Sequence, residues 1–593
     1  MAFLRHSVCT LLFWSLAVSY LVVASPQCAT HNETFVPDAV LRVTESNISQ
    51  SCYPSKATVL VNGTSPGPEL RIKEGITYWI RAYNDMQDKN LTMHWHGLTQ
   101  AMAPFADGTP QASQWPIPPL YFFDYEIHVP IGMAGTYFYH SHVGFQAVSG
   151  TGPLIVEEHG ASPYHYDEDK IVFLQDVFVK DESTIEAGLV ASPLSWSGES
   201  AMVLVNGKGG GSANGTACNA SLSTIEVEPG KTYRLRFIGG TALTFASLAF
   251  EDHDLEIIEA DGHYTQPYNT SYLQIGTGQR FSALLRTRPN PEKSTYYLQV
   301  ESRERPTLTR GFAVLNYGLK PTIPFLPPND LPLTLPNTTR GFLDYELHPL
   351  SPPKDFPTAE EVTRRITMTV HQRVLGPTIW VQNDYPWTET FPQEPYLVSL
   401  YNNNSLEFPS MERALANDGI DPISRAFPAQ IGEVLEIVIQ NTGADKGGLD
   451  VHPFHAHGAH YWDLGSGNRT YDQASNEVKI QEHGHPIQRD TTMLYRYATT
   501  TTNGTNMGWR AWRIRVTEPG VWMIHCHILQ HMIMGMQTIW VFGNETEVLG
   551  KVGVPEVQGY LTYGGSVYGN ENRWPSVVHF TDNEGSDAWT DNQ

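Results

Sequence analysis

Apolar and polar residues alternate in three widely spaced stretches of the chain, each set behind a turn. Val61-Asn62-Gly63 precedes the run 75–84, Val205-Asn206-Gly207 the run 230–237, and Trp380-Val381-Gln382-Asn383 the run 432–441. A period of two in a β-branched and aromatic background predicts half-buried strands. Three copies at domain-sized intervals predict three β-rich domains of one kind, at 25–160, 161–320 and 358–543. The stretch 321–357 holds ten prolines; it can be neither a central strand nor a helix interior and reads as a linker. Beyond Gly543 the chain turns polar and Gly-rich, which predicts an extended C-terminal tail over 544–593. At the other end, Arg5 and His6 precede an uncharged apolar run from Cys9 to Ala24. It is shorter than the roughly 20 residues a membrane span needs, and residues 1–24 read as a secretory signal peptide. A soluble, secreted chain without a transmembrane anchor is expected.

Composition narrows the classes. Of the 593 residues 17% are charged and 11% aromatic, which excludes disorder and coiled coil. With 38 basic and 62 acidic residues the net charge is −24, which argues against nucleic acid as a partner and for a monomer that repels its own copies. Twelve N-x-[ST] sequons between Asn32 and Asn544 predict N-glycans. Loss of Cys9 with the signal leaves Cys28, Cys52, Cys218 and Cys526. An even count permits two disulfides, but Cys526 stands between His525 and His527 and reads as a metal ligand. At most one internal disulfide remains.

The first and third copies share more than a strand pattern. The run 135–142 ends in His140-Ser141-His142, the run 520–527 in His525-Cys526-His527, and His94-Trp95-His96-Gly97 parallels His455-Ala456-His457-Gly458. The middle copy has no such pair and reads as a spacer. Residues i and i+2 of a strand point to one face, so four His-x-His pairs can bring eight imidazoles to one region. Nitrogen-rich donors suit copper, whereas a zinc site usually takes four ligands and would be overfilled. Parity separates a second set: Cys526 faces away from His525 and His527, and His452 away from His455 and His457. With His531 and Met536 they supply two imidazoles, a thiolate and a thioether, the donors of a blue-copper electron-transfer site.

Together these motifs resemble the multicopper oxidases, over nearly the whole mature chain. The resemblance implies an all-β fold of three consecutive cupredoxin-like Greek-key β-barrel domains and four copper ions. It implies a type 1 copper on His452, Cys526 and His531 with Met536 axial, and a type 2 copper on His94 and His455. It further implies a type 3 pair on His96, His140, His142, His457, His525 and His527. The implied reaction oxidises a small aromatic substrate by single electrons and reduces dioxygen to two waters. The run from His525 to Met536 looks like the ascomycete pigment laccases, which oxidise phenols and naphthalene diols to conidial pigment or melanin; a cell-wall or spore-surface location would follow. Similarity to the ascorbate oxidases implies a disulfide between Cys52 and Cys218.

The chain departs from the wider family at Trp115, where many members have a cysteine, and at Ile528 and Leu529, where an acid often follows the ligand cysteine. Asp107 is left as the family's acid near the type 2 copper, a candidate for proton transfer, although Asp-Gly is also a common turn pair. His371, His460, His483 and His485 match no motif and are expected to be ordinary. The alternatives are ascorbate oxidase, ferroxidase, for which no rim carboxylates can be placed from the sequence, and a copper-binding wall protein without turnover.

Overall fold

The computed structural model describes residues 31–213, 216–318, 325–389, 392, 394–402, 408–551, 554–561 and 563. The signal segment, Cys28, the sequons at Asn214 and Asn403, and the tail beyond 563 lie outside the described residues. Among the described residues 42% are in strands and 10% in helices, so the architecture is mostly β. Each third of the chain forms two sheets. The alternating runs become strands Thr77–Asn84, Thr232–Ile238 and Val434–Thr442. Each pairs in parallel with the opening strand of its own domain: Ala39–Ile48, Glu168–Val177 and Arg364–Val374.

The second sheet of each domain repeats as well. Met93–His96, Gly135–Ser141 and Thr151–Glu157 are successive antiparallel neighbours in the first domain. The corresponding trios are Phe245–Phe250, Thr295–Arg303 and Thr309–Asn316 in the second, and His452–Ala456, Gly520–Cys526 and Gln537–Phe542 in the third. The outer domains carry His-x-His pairs on these strands. The middle domain places Phe245, Ser247 and Leu248 at the same station, and they are buried. Its lack of ligands is thus a local substitution on a shared frame.

The first and third domains share one apolar core, to which Leu91, Trp95 and Tyr125 contribute from one side and Trp387, Tyr396, Leu397 and Met523 from the other. Main-chain bonds from Tyr396 N to Gln111 O (3.3 Å) and from Leu397 N to Ala112 O (3.0 Å) seal the seam. Cys52 and Cys218 are bonded, with Cα atoms 5.8 Å apart, and tie the first domain to the second across 166 residues of sequence. Closing so long a loop restricts the unfolded chain, an effect worth about 2–5 kcal/mol.

Two expectations change. The segment after Gly543 is not simply an extended tail: helix Glu545–Lys551 follows at once, and Val557, Tyr560 and Tyr563 are buried in the core shared by the outer domains. Tyr560 Oη donates to Ser113 O at 3.0 Å. The polar average of this segment concealed a few aromatic anchors. The proline-rich stretch has neither helix nor strand over 325–357, yet it lies strapped to the second and third domains. Leu335 and Leu347 are buried, Asp344 pairs with Arg510 at 2.9 Å, and Tyr345 Oη donates to Asn476 Oδ1 at 2.6 Å. Among the sequons, Asn90 is only 6% exposed.

Candidate metal centre

The register of two strand pairs brings the histidines together. His94 lies opposite His140 in the first domain, and His455 opposite His525 in the third. The two pairs face one another across the shared core. The ring of His94 stacks on His457 at 3.9 Å and that of His96 on His455 at 3.7 Å. Ring nitrogens meet head-on: His94 Nε2 and His455 Nε2 at 3.5 Å, His457 Nε2 and His525 Nε2 at 3.2 Å, His96 Nδ1 and His527 Nε2 at 3.1 Å. All eight rings are buried.

Their outward nitrogens decide which lone pairs point inward. His94 Nδ1 donates to Asp107 O at 2.7 Å, His140 Nδ1 to Ser141 O at 2.8 Å and His525 Nδ1 to Cys526 O at 2.9 Å. His457 Nδ1 donates to Asp107 Oδ2 at 2.8 Å. His527 Nδ1 donates to Thr277 Oγ1 at 2.7 Å, whose own proton goes to His527 O at 2.8 Å. His455 Nδ1 faces Asp490 O at 3.1 Å, and His96 Nε2 faces Asp490 Oδ1 at 3.4 Å. A neutral imidazole carries one proton, so each ring that spends it outward presents a bare lone pair to the centre. Burial, and then the neighbouring rings, hold His94, His142, His457, His525 and His527 well below the usual histidine range. Burial brings His140 down to about 4. Converging lone pairs without protons between them repel unless a cation sits among them, and this is the arrangement that acceptors bonded to the outward nitrogens impose on metal-binding histidines.

The second donor set lies on the other face of the same strands. Cys526 Sγ is 3.7 Å from both His452 Nδ1 and His531 Nδ1, which are 3.1 Å apart. Met536 is fully buried, and its backbone is pinned between them: its N–H donates to His531 O at 2.9 Å and its carbonyl accepts from Cys526 N at 3.1 Å. Trp380 closes the site, its ring 4.8 Å from that of His452 and 4.9 Å from that of His531. Burial pushes the Cys526 thiol well up and holds His531 down to about 3. A metal here must therefore displace the thiol proton. On the outer side, His531 Nε2 lies 3.7 Å from Asp450 Oδ2. Arg305 reaches Asp450 at 3.0 Å and grips both oxygens of Glu199 at 2.7 and 2.8 Å.

Asp107 lies beside the converging histidines. It is buried, its Oδ2 accepts from His457 and Thr109, and its Oδ1 has no hydrogen-bond partner among the described residues and lies 3.6 Å from His94 Nδ1. Burial raises its carboxyl above the ordinary range. Gly108 has φ +80°, and Thr109 N donates to Ser113 Oγ at 3.1 Å and not to the Asp107 carboxylate.

Sequence reading missed the contribution of the middle domain, which is more than a spacer. Thr277 holds His527, and Arg280 binds Asp490 through two 2.6 Å bonds. Asp490 in turn faces one histidine from each outer domain, His96 and His455. His460, expected to be ordinary, donates to Gly97 O at 2.7 Å and touches His263. None of these residues sits in a motif; only side-chain contacts made across domain boundaries reveal them. His371, His483 and His485 make contacts away from the donor sets.

Two β-sheets per domain, eight converging imidazoles and a cysteine–histidine set one residue away define a copper oxidase built from three cupredoxin domains. The chain belongs to the multicopper oxidases, matching that family over residues 42–161, 168–319 and 390–545. It is 45% identical to laccase-like multicopper oxidase 1 of Thermothelomyces thermophilus, over 93% of this chain and 94% of that one. It is 31% identical to the L-ascorbate oxidase of Cucumis sativus, over 82% and 85%. The fold matches the crystal structure of a laccase from Botrytis aclada with a TM-score of 0.67 at 22% identity, covering 86% of this chain and 88% of that one. Copper is the cofactor, of types 1, 2 and 3.

Proposed function

We propose that this oxidase is a secreted laccase acting on electron-rich phenols and naphthalene diols, in the making of cell-wall or spore pigment. In this reading His452, Cys526 and His531, with Met536 axial, hold type 1 copper. His94 and His455 hold type 2, and His96, His140, His142, His457, His525 and His527 hold the type 3 pair. Copper supplies one-electron chemistry, so that four electrons taken singly from substrate, with four protons, turn one dioxygen into two waters. The observation that carries the reading is the complete donor set at Cys526, one residue from His525 and His527. A chain that merely stored copper would not need a thiolate joined covalently to both neighbouring ligands.

The protein's own groups do the rest. His531 Nε2 turns outward beside Asp450, and this edge is where a substrate hydroxyl would sit and lose its proton. Asp107, with Oδ2 on His457 and Oδ1 without a hydrogen bond, would hold a proton and pass it on. Beyond His531 stand Asp450 and, through Arg305, Glu199, carboxylates that could not be placed from the sequence. Both Asp450 and Glu199 are bound by Arg305, and its positive charge disfavours ferrous iron. Two further points support the phenol reading over ascorbate: the higher identity to a laccase-like relative, and Trp196 at the rim beside Arg305, an aromatic face for a flat substrate. Secretion fits the signal-like first segment; no described helix is long and apolar enough to cross a membrane.

Oxygen uptake by the purified protein, with naphthalene diols, simple phenols, ascorbate and ferrous iron in parallel, tests the reading. The diols should turn over fastest; faster turnover of ascorbate or iron would replace it. A second expectation concerns potential. A donating thioether stabilises the cupric state, and the axial ligand tunes such sites. Met536→Leu should raise the type 1 potential and extend turnover toward harder phenols. A potential in redox titration that is unchanged or lower would mean that Met536 is not the axial residue.

A further inference from the structure

Seven of the eight converging histidines have an outward nitrogen facing an acceptor. His142 is the exception: neither ring nitrogen has a hydrogen-bond partner among the described residues. A carboxylate oxygen, Glu389 Oε1, lies 4.0 Å from Nδ1 and is also buried and without a hydrogen-bond partner among the described residues. The two orphaned atoms face each other. The other carboxylate oxygen, Glu389 Oε2, accepts from Gly144 N at 3.3 Å. The next main-chain N–H, that of Phe145, is received by Glu186 of helix Glu182–Leu189. Gly144 has φ +51°, and a Cβ there would strike the Glu186 carboxylate. The glycine is what lets two acids from two other domains close on the turn that follows His142.

We propose that Glu389 is the positioning residue for His142: it receives the Nδ1 proton and so turns Nε2 toward the metal, which completes the outer shell of the centre from the third domain. The proposal rests on the copper assignment made above. The 4.0 Å separation is about 1 Å beyond a hydrogen bond, a gap that a small turn of either side chain closes. The chemistry asks for such a partner, because an imidazole bound through one nitrogen must keep its proton on the other, and a buried N–H without an acceptor is costly. Ile528 and Leu529, apolar and buried just after the ligand cysteine, offer no acceptor of their own. Glu389 is the one carboxylate within 4.0 Å of His142 among the described residues. It arrives from a segment far from every histidine motif.

The test uses copper-loaded full-length protein and three variants, Glu389→Leu, Glu389→Asp and Glu389→Gln. The readouts are copper content under a competing chelator, the EPR spectrum, the blue band and the type 1 potential. Glu389→Leu should lose copper from the type 3 pair about 10–100-fold more readily and show a new EPR signal from an uncoupled ion, with the blue band and the type 1 potential unchanged. Glu389→Asp, which keeps a carboxyl but falls short of the ring, should do the same, and it serves if the leucine variant fails to fold. Glu389→Gln keeps an accepting oxygen and should retain a coupled, EPR-silent pair. Wild-type copper retention and EPR in the leucine or aspartate variant would overturn the proposal, as would equal loss in the glutamine variant. Failure of the underlying copper assignment would show separately, as a missing blue band or missing copper in the wild type.

Discussion

Cys526→Ser should abolish the blue charge-transfer band and all oxidase turnover while the eight converging histidines keep their copper. The thiolate is the one soft donor in the second set, and a serine hydroxyl does not replace it for type 1 copper. His452 Nδ1 and His531 Nδ1, each 3.7 Å from the sulfur, would face an oxygen bound to a proton at neutral pH. The fold should persist, since the exchange is nearly isosteric at a fully buried position and the strand pairing of Gly520–Cys526 does not involve the side chain. Copper analysis should show loss of the type 1 ion alone. A blue band retained in the serine variant would show that the donor set lies elsewhere; loss of copper from both sets would show that they are not separable.

Asp490→Asn should destabilise the protein and loosen its copper together. Asp490 and Arg280 are both fully buried, and their paired 2.6 Å bonds join the third domain to the second. The Arg280 charge, against the burial that would raise it, holds the Asp490 carboxyl well below the carboxylate range. Breaking such a pair from one side leaves the buried guanidinium with Asp261 alone, 3.3 Å away and shared with Arg489, at a cost of up to roughly 3–5 kcal/mol. The carboxylate also faces His96 and His455 at 3.4 and 3.3 Å, so its neutralisation weakens the outer support of a ligand from each outer domain, worth about 10–100-fold in metal affinity. Thermal unfolding of the metal-free protein isolates the first effect, and chelator competition on the folded protein measures the second. An unchanged metal-free midpoint would mean that the ion pair does not hold the domains. Unchanged chelator resistance would mean that Asp490 does not support the ligands.

The linear order of residues is enough to determine the repeat, the donors and their two faces. Strand parity is a local property of the backbone, so His525 and His527 had to point one way and Cys526 the other, and His-x-His pairs in two of three copies had to converge if those copies met. The sequence alone likewise exposes the middle copy as the one without ligands. What only the tertiary structure decided is the second layer. Thr277, Arg280, Asp490 and His460 recur in no motif, because each acts through hydrogen bonds or ion pairs made across a domain boundary, and the part proposed for Glu389 is of the same kind. Such a contact depends on where two sheets come to rest, not on spacing along one strand. The same reason explains the docked segment up to Tyr563. Its aromatic anchors are too few to shift a polar average, yet they fill a core whose shape is set by two domains together. Ligand identity is written in periodicity, whereas the orientation of each ligand's proton is settled by neighbours that are distant in the chain.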